Sequence, residues 1–117
     1  MNSDTKQMYD SAIDNLLQEI GNSYANWNRA ADSPNIDRVN DFRNRLKINS
    51  GRKFDKVIEK GRVWGFVAKT DGVHKGVPYN VGDVFKAAGW RAPAKWQRGS
   101  IFDTNTNWFS WTGPNYL

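Results

Sequence analysis

The chain has no cysteine among its 117 residues. Disulfides, zinc–thiolate centres and thiol catalysis are therefore excluded, and a reducing compartment is the natural setting. It has one histidine, His74, flanked by Gly72 and Gly76. A metal at His74 would need carboxylates for its remaining ligands, and a solvated loop histidine is the plainer reading. No apolar run approaches the roughly 20 residues that span a bilayer. The opening MNSDTKQMYD lacks the basic start and apolar stretch of a secretory signal. The expectation is a soluble cytoplasmic protein with no membrane partner. Gly61, Gly65, Gly72, Gly76 and Gly82 match neither a P-loop nor a dinucleotide fingerprint, and no serine sits in a nucleophile elbow. No cofactor, no metal and no enzymatic activity are expected.

What is plentiful is positive charge and tryptophan. From Gly51 onward eleven bases face five acids, a net +6, whereas the first fifty residues hold six bases and seven acids, a net −1. Five of the six tryptophans lie in the same C-terminal stretch. Cations interleaved with flat rings suit a phosphate backbone carrying unstacked bases.

Residues 4 to about 30 read as a helix. Met8, Ala12, Ile13, Leu16, Leu17, Ile20, Tyr24 and Trp27 recur at helical steps, which marks one apolar face. Ser3 is the expected N-cap, and Gly21 a point of weakness in the helix interior. Ser33-Pro34 is the expected start of a second helix, with Ile36, Val39, Phe42 and Leu46 as its apolar face and Asn49-Ser50-Gly51 as its stop. The short connection predicts an antiparallel hairpin. After Gly51 the pattern changes. Phe54–Glu59 and Val63–Ala68 read as strands, joined by a tight turn at Lys60-Gly61. Thr70 to Asn80 reads as a loop, Val84–Ala87 as a third strand, Arg91–Lys95 as irregular, and Ile101-Phe102 as a further short strand. The fold class is α+β: an N-terminal helical hairpin, 1–50, packed on a small antiparallel sheet of three to four strands, 51–117, in one cooperative domain.

Two kinds of site compete. Asp55 and Glu59 lie four apart on a strand, and Asp83 could join them with Lys56 or Lys86 to hold a divalent cation for phosphodiester cleavage. The blander reading is the solvated face of a hairpin. The tryptophans say more. Trp27 and Trp64 are expected in the core, and Trp108 and Trp111 as a clamp on the tail. Trp90 and Trp96 bracket Arg91-Ala92-Pro93-Ala94-Lys95, with Arg98 just beyond. Such a loop can stack bases and supply charge to phosphates; alternatively both rings fold beneath it. The expected nucleic-acid-binding residues are Arg62, Lys69, Lys86, Trp90, Arg91, Lys95, Trp96 and Arg98. Exposed rings favour single strands over duplex. A protein partner in a host cell is the competing reading, because tryptophan and arginine also dominate interface hot spots. The amphipathic N-terminal helix offers a surface for a homo-oligomer as well.

Val63-Trp64-Gly65-Phe66-Val67-Ala68-Lys69, Gly82-Asp83-Val84-Phe85-Lys86 and Trp90-Arg91-Ala92-Pro93-Ala94-Lys95 together resemble a group of small uncharacterised tailed-bacteriophage proteins. The resemblance covers about residues 63–103. It implies a phage origin and the bacterial cytoplasm, and it carries no activity.

Overall fold

The computed structural model describes residues 2–116. Helix α1 (Ser3–Arg29) buries Tyr9, Ile13, Leu16 and Ile20 at helical spacing. Its N-cap is Asn2, whose side chain accepts the Thr5 N–H at 2.8 Å, one residue before the expected Ser3. Gly21 does not break the helix. It is buried, and a Cβ there would lie 2.6 Å from Arg43 Nη1. The missing side chain is what lets Arg43 cross α1 and donate to Asn22 Oδ1 at 2.9 Å.

Helix α2 (Ile36–Arg45) starts from N-cap Asn35, not from Ser33-Pro34. Buried Asn28 accepts the Asn35 N–H at 2.8 Å and closes the connection between the helices. The helix stops at Arg45. Leu46, read from the sequence as part of the helical face, and Asn49-Ser50, read as its stop, both belong to strand β1 (Leu46–Ser50). It pairs with β2 (Phe54–Glu59), Leu46 opposite Glu59 and Ile48 opposite Val57. Pairing satisfies the outer edge of β2, and Leu46 and Ile48 both pack against the main core.

Strand β3 (Arg62–Ala68) follows β2 through Lys60 and Gly61, both at positive φ, 49° and 77°. Two consecutive left-handed residues match the right-handed twist of a hairpin. The stretch expected as a loop forms a second hairpin, β4 (Gly72–His74) and β5 (Val77–Tyr79). Lys75 and Gly76 turn it the same way, with φ of 52° and 80°. Strands β6 (Asp83–Ala87) and β7 (Pro93–Ser100) complete the main sheet, whose order is β1-β2-β3-β6-β7. All neighbours are antiparallel. The sheet therefore has five strands, more than the three to four expected. Pro93 had argued for irregular chain, but it stands first in an edge strand, where a missing N–H costs no ladder bond. Ile101-Phe102 lies in a turn and not in a strand. The short ribbon β8 (Phe109–Ser110) and β9 (Gly113–Pro114) ends the fold.

Paired residues share a face of the sheet, which separates two cores. Val67 opposite Val84 joins Tyr9, Ile13, Leu16, Ile20 and Phe42 of the helices. Phe66 opposite Phe85 joins Tyr79 and Ala68 on the other side. Trp64 and Val67 would point to opposite faces of a regular strand. A register shift opposite Val57 and Ile58 turns both toward the helices.

Trp64 is 2 % exposed, and its Nε1–H donates to Ser110 O at 2.9 Å. Trp27, expected in the core, is 52 % exposed. It sits near the end of α1, where its ring neighbours are Tyr24 and Trp111. Trp111 is half-buried between the helices and the ribbon, and its backbone N–H donates to Ser23 Oγ. Trp108 lies across Gly99 of β7. One buried polar network ties α1 to the sheet. Tyr9 and Ser50 donate to the two oxygens of Asp55 at 2.7 and 2.6 Å. Lys69 donates to Ser50 Oγ at 2.9 Å and to Gly51 O at 3.0 Å. Among the described residues no helix is long and apolar enough to cross a membrane.

Candidate nucleic-acid interface

The face of the sheet away from the helices is only partly covered. The β4–β5 hairpin lays Tyr79 and His74 against Phe54 and Phe85. His74 is not a solvated loop residue: its Nε2 lies 2.9 Å from Pro93 O and its ring packs edge-on to Phe85. Beyond this hairpin a concavity of about 270 Å³ opens, lined by Asn49, Arg52, Lys53, Lys56 and Arg91 over Phe54 and Phe66.

Local structure fixes each cation. Lys56 pairs with Phe66 across β2 and β3, so its side chain stands on the aromatic face. Arg52 and Lys53 sit in the β1–β2 turn. Gly51 N–H donates to Phe54 O at 2.9 Å and closes that turn. A Cβ on Gly51 would lie 2.7 Å from the same oxygen, so only glycine fits. Lys53 O accepts the Lys69 N–H, which pins the turn to the end of β3. From the other side, the β6–β7 turn closes through Ala88 N–H and Gly89 N–H to Ala92 O. It presents Trp90 and Arg91 at its tip.

The Lys56 ammonium lies 4.3 Å from the Trp90 ring centroid and 5.8 Å from that of Phe66. Trp90 remains 50 % exposed. One side of the indole is thus braced by a cation, and half of the residue stays open to a stacking partner. Among the described residues no carboxylate lines the concavity. Among the described residues, Arg52, Lys53, Lys56 and Arg91 make no ion pair.

The residues singled out from sequence fall into separate groups. Arg91 lines this concavity, and Trp90 stands at its rim against Lys56. Lys95 and Trp96 stand on edge strand β7, with the Lys95 ammonium 5.1 Å from the Trp96 ring and that ring half exposed. Lys69 is committed to Ser50 and lies 3.9 Å from Asp55. Arg62, Lys86 and Arg98 lie with the C-terminal ribbon on the helical side. Reasoning from the sequence missed Arg52 and Lys53 and weighed Lys56 only as a neighbour of a metal site, against the plainer reading of a solvated hairpin face. The available signal was strand parity, since Phe54 and Lys56 share a face that a hairpin at Lys60-Gly61 sets against Phe66 and Ala68.

The acids considered for a nuclease are separately engaged. Asp55 is buried under Tyr9 and Ser50. Glu59 meets Arg45 at 3.2 Å and Arg62 at 3.8 Å. Asp83 accepts the Asn80 N–H, and burial pushes its carboxyl above the ordinary value. Among the described residues no trio of histidine or acidic side chains is placed to hold a metal.

Residues 2–116 match the model of a family described as a family of unknown function (DUF7717). No curated protein and no solved structure matches the chain.

Proposed function

The chain belongs to this family of unknown function, and we propose that it is a non-enzymatic protein that binds single-stranded nucleic acid on the open face of its sheet. Arg52, Lys53, Lys56 and Arg91 contact phosphates, and Trp90 stacks on a base. The observation that carries this reading is the concavity itself: four cations, no acid, and a floor of aromatic rings. A wall of unpaired cations attracts a polyanion without regard to sequence. An exposed indole adds stacking, which every base can supply. Duplex bases are already stacked, so the Trp90 contribution is available to single strands alone.

Fluorescence anisotropy with a labelled oligonucleotide tests this directly. Trp90→Ala is expected to weaken single-strand binding while leaving the weaker duplex binding nearly unchanged. Equal losses on both, or no retention of either at low ionic strength, would overturn the assignment.

A second reading has its own observation. Trp27 is half exposed beside Trp111 at the end of α1, and Met8 and Phe102 are exposed along a groove between α1 and the loop after β7. Such side chains suit a protein partner. A partner captured equally well after nuclease treatment, and lost in Trp27→Ala, would favour it.

A further inference from the structure

The cations on the helical side are held differently from those of the concavity. Arg62, Lys86 and Arg98 come from β3, β6 and β7, three adjacent strands of the sheet. All three close on one stretch of chain, Thr112–Tyr116. Arg62 Nη1 donates to Thr112 O at 3.4 Å, and Arg98 Nη1 donates to Asn115 O at 2.7 Å. The Lys86 ammonium lies 4.1 Å from the Tyr116 ring centroid and 3.6 Å from where a Gly113 Cβ would stand. The positive φ of Gly113, 137°, lets the ribbon come this close.

Among the described residues the three charges are crowded and little compensated. Burial, then Arg98, then Arg62 hold the Lys86 ammonium below its ordinary value. Among the described residues the one carboxylate in ion-pair reach of any of them is Glu59, 3.8 Å from Arg62, and it is shared with Arg45. The ribbon answers them with neutral carbonyls and a ring. Tyr116 is 86 % exposed, so little beyond Lys86 holds it.

We propose that Arg62, Lys86 and Arg98 form an oxyanion site for a phosphate group, which the Thr112 and Asn115 carbonyls and the Tyr116 ring occupy in the free protein. Two guanidinium forks and an ammonium match the several oxygens of a phosphate. A phosphate offers these cations ionised oxygens and a bidentate geometry in place of single neutral carbonyls. Binding relieves the crowding around Lys86 and frees Tyr116. The site lies on the opposite side of the sheet from the concavity and does not depend on it.

The test is an amide NMR titration of the intact chain with inorganic phosphate, with sodium chloride at matched ionic strength as control. Phosphate is expected to shift the Thr112–Tyr116 and Lys86 signals saturably, and chloride is not. Lys86→Met and Arg98→Gln should each abolish the shifts while keeping a dispersed, folded spectrum. Tyr116→Ala should tighten phosphate binding about two- to fivefold, the strength of an exposed cation–π contact. Arg52→Gln/Arg91→Gln should change nothing here, which separates this site from the interface above. A parallel titration with an oligothymidylate lacking terminal phosphates identifies the source. Shifts at the same signals assign the site to backbone phosphate, and their absence assigns it to a free or terminal phosphate. Shifts that chloride reproduces, that fail to saturate, or that survive both cation substitutions would overturn the proposal.

Discussion

If Arg52, Lys53, Lys56 and Arg91 each neutralise one phosphate, binding must weaken with salt at a slope set by their number. For single strands the logarithm of affinity falls by about 0.7 per contact for each decade of salt, so four contacts give a slope of about −2.8. Raising salt from about 50 to about 200 mM should then cost about 50-fold in affinity. Arg52→Gln/Arg91→Gln removes two contacts, which should halve the slope to about −1.4 and reduce the loss to about sevenfold. Trp90→Ala behaves differently, because stacking releases no counterions. It should lower affinity by about 1–3 kcal/mol at every salt concentration, a parallel displacement of the line. Anisotropy titrations across a salt series separate the two effects in one experiment. A slope left intact by the double substitution would refute the assignment of phosphates to this concavity. A Trp90 effect that vanishes at high salt would refute stacking.

Three further outcomes follow from the packing. Tyr9→Phe removes a donor from buried Asp55 and should cost about 1–3 kcal/mol in urea unfolding. Burial, followed by the Asp55 hydrogen bond, holds the Tyr9 hydroxyl well above the usual tyrosine value of 10.0. Unfolded Tyr9 loses its proton first as pH rises, so its contribution is complete below that value and declines above it. Wild type should therefore lose stability above about pH 10 more steeply than Tyr9→Phe, and equal pH profiles would contradict this. Gly99→Ala places a methyl group under the Trp108 ring and should destabilise by about 1–3 kcal/mol, read as a lowered thermal midpoint. Trp27→Ala should leave stability within about 1 kcal/mol of wild type, since half of that residue is already in solvent; a larger loss would place Trp27 in the core after all.

Much of the architecture was legible. The three- and four-residue spacing of Ile13, Leu16 and Ile20 identified α1, because a helix must bury one stripe. Lys60-Gly61 between two β-rich runs identified the β2–β3 hairpin, because few residue pairs tolerate two left-handed conformations. The edges of the sheet were not legible. Leu46 continues the spacing of Val39 and Phe42 and so reads as helix, yet it pairs with Glu59. Pro93 reads as a breaker, yet it opens the outermost strand. In both cases the deciding partner is distant in sequence, and local pattern carries no record of it.

The same division holds for the candidate sites. Composition alone established a basic, tryptophan-rich second half without thiols, and it thereby bounded the chemistry. It could not say which cations stand together, because in a strand each step of one residue moves a side chain to the other face. Phe85 and Lys86 are neighbours in the chain and lie on opposite sides of the sheet. The register shifts in β3 and β7 then reset that alternation at points no propensity marks. Sequence supplied the charges and rings; pairing register and bulges sorted them into a concavity on one face and a cluster against the C-terminal ribbon on the other.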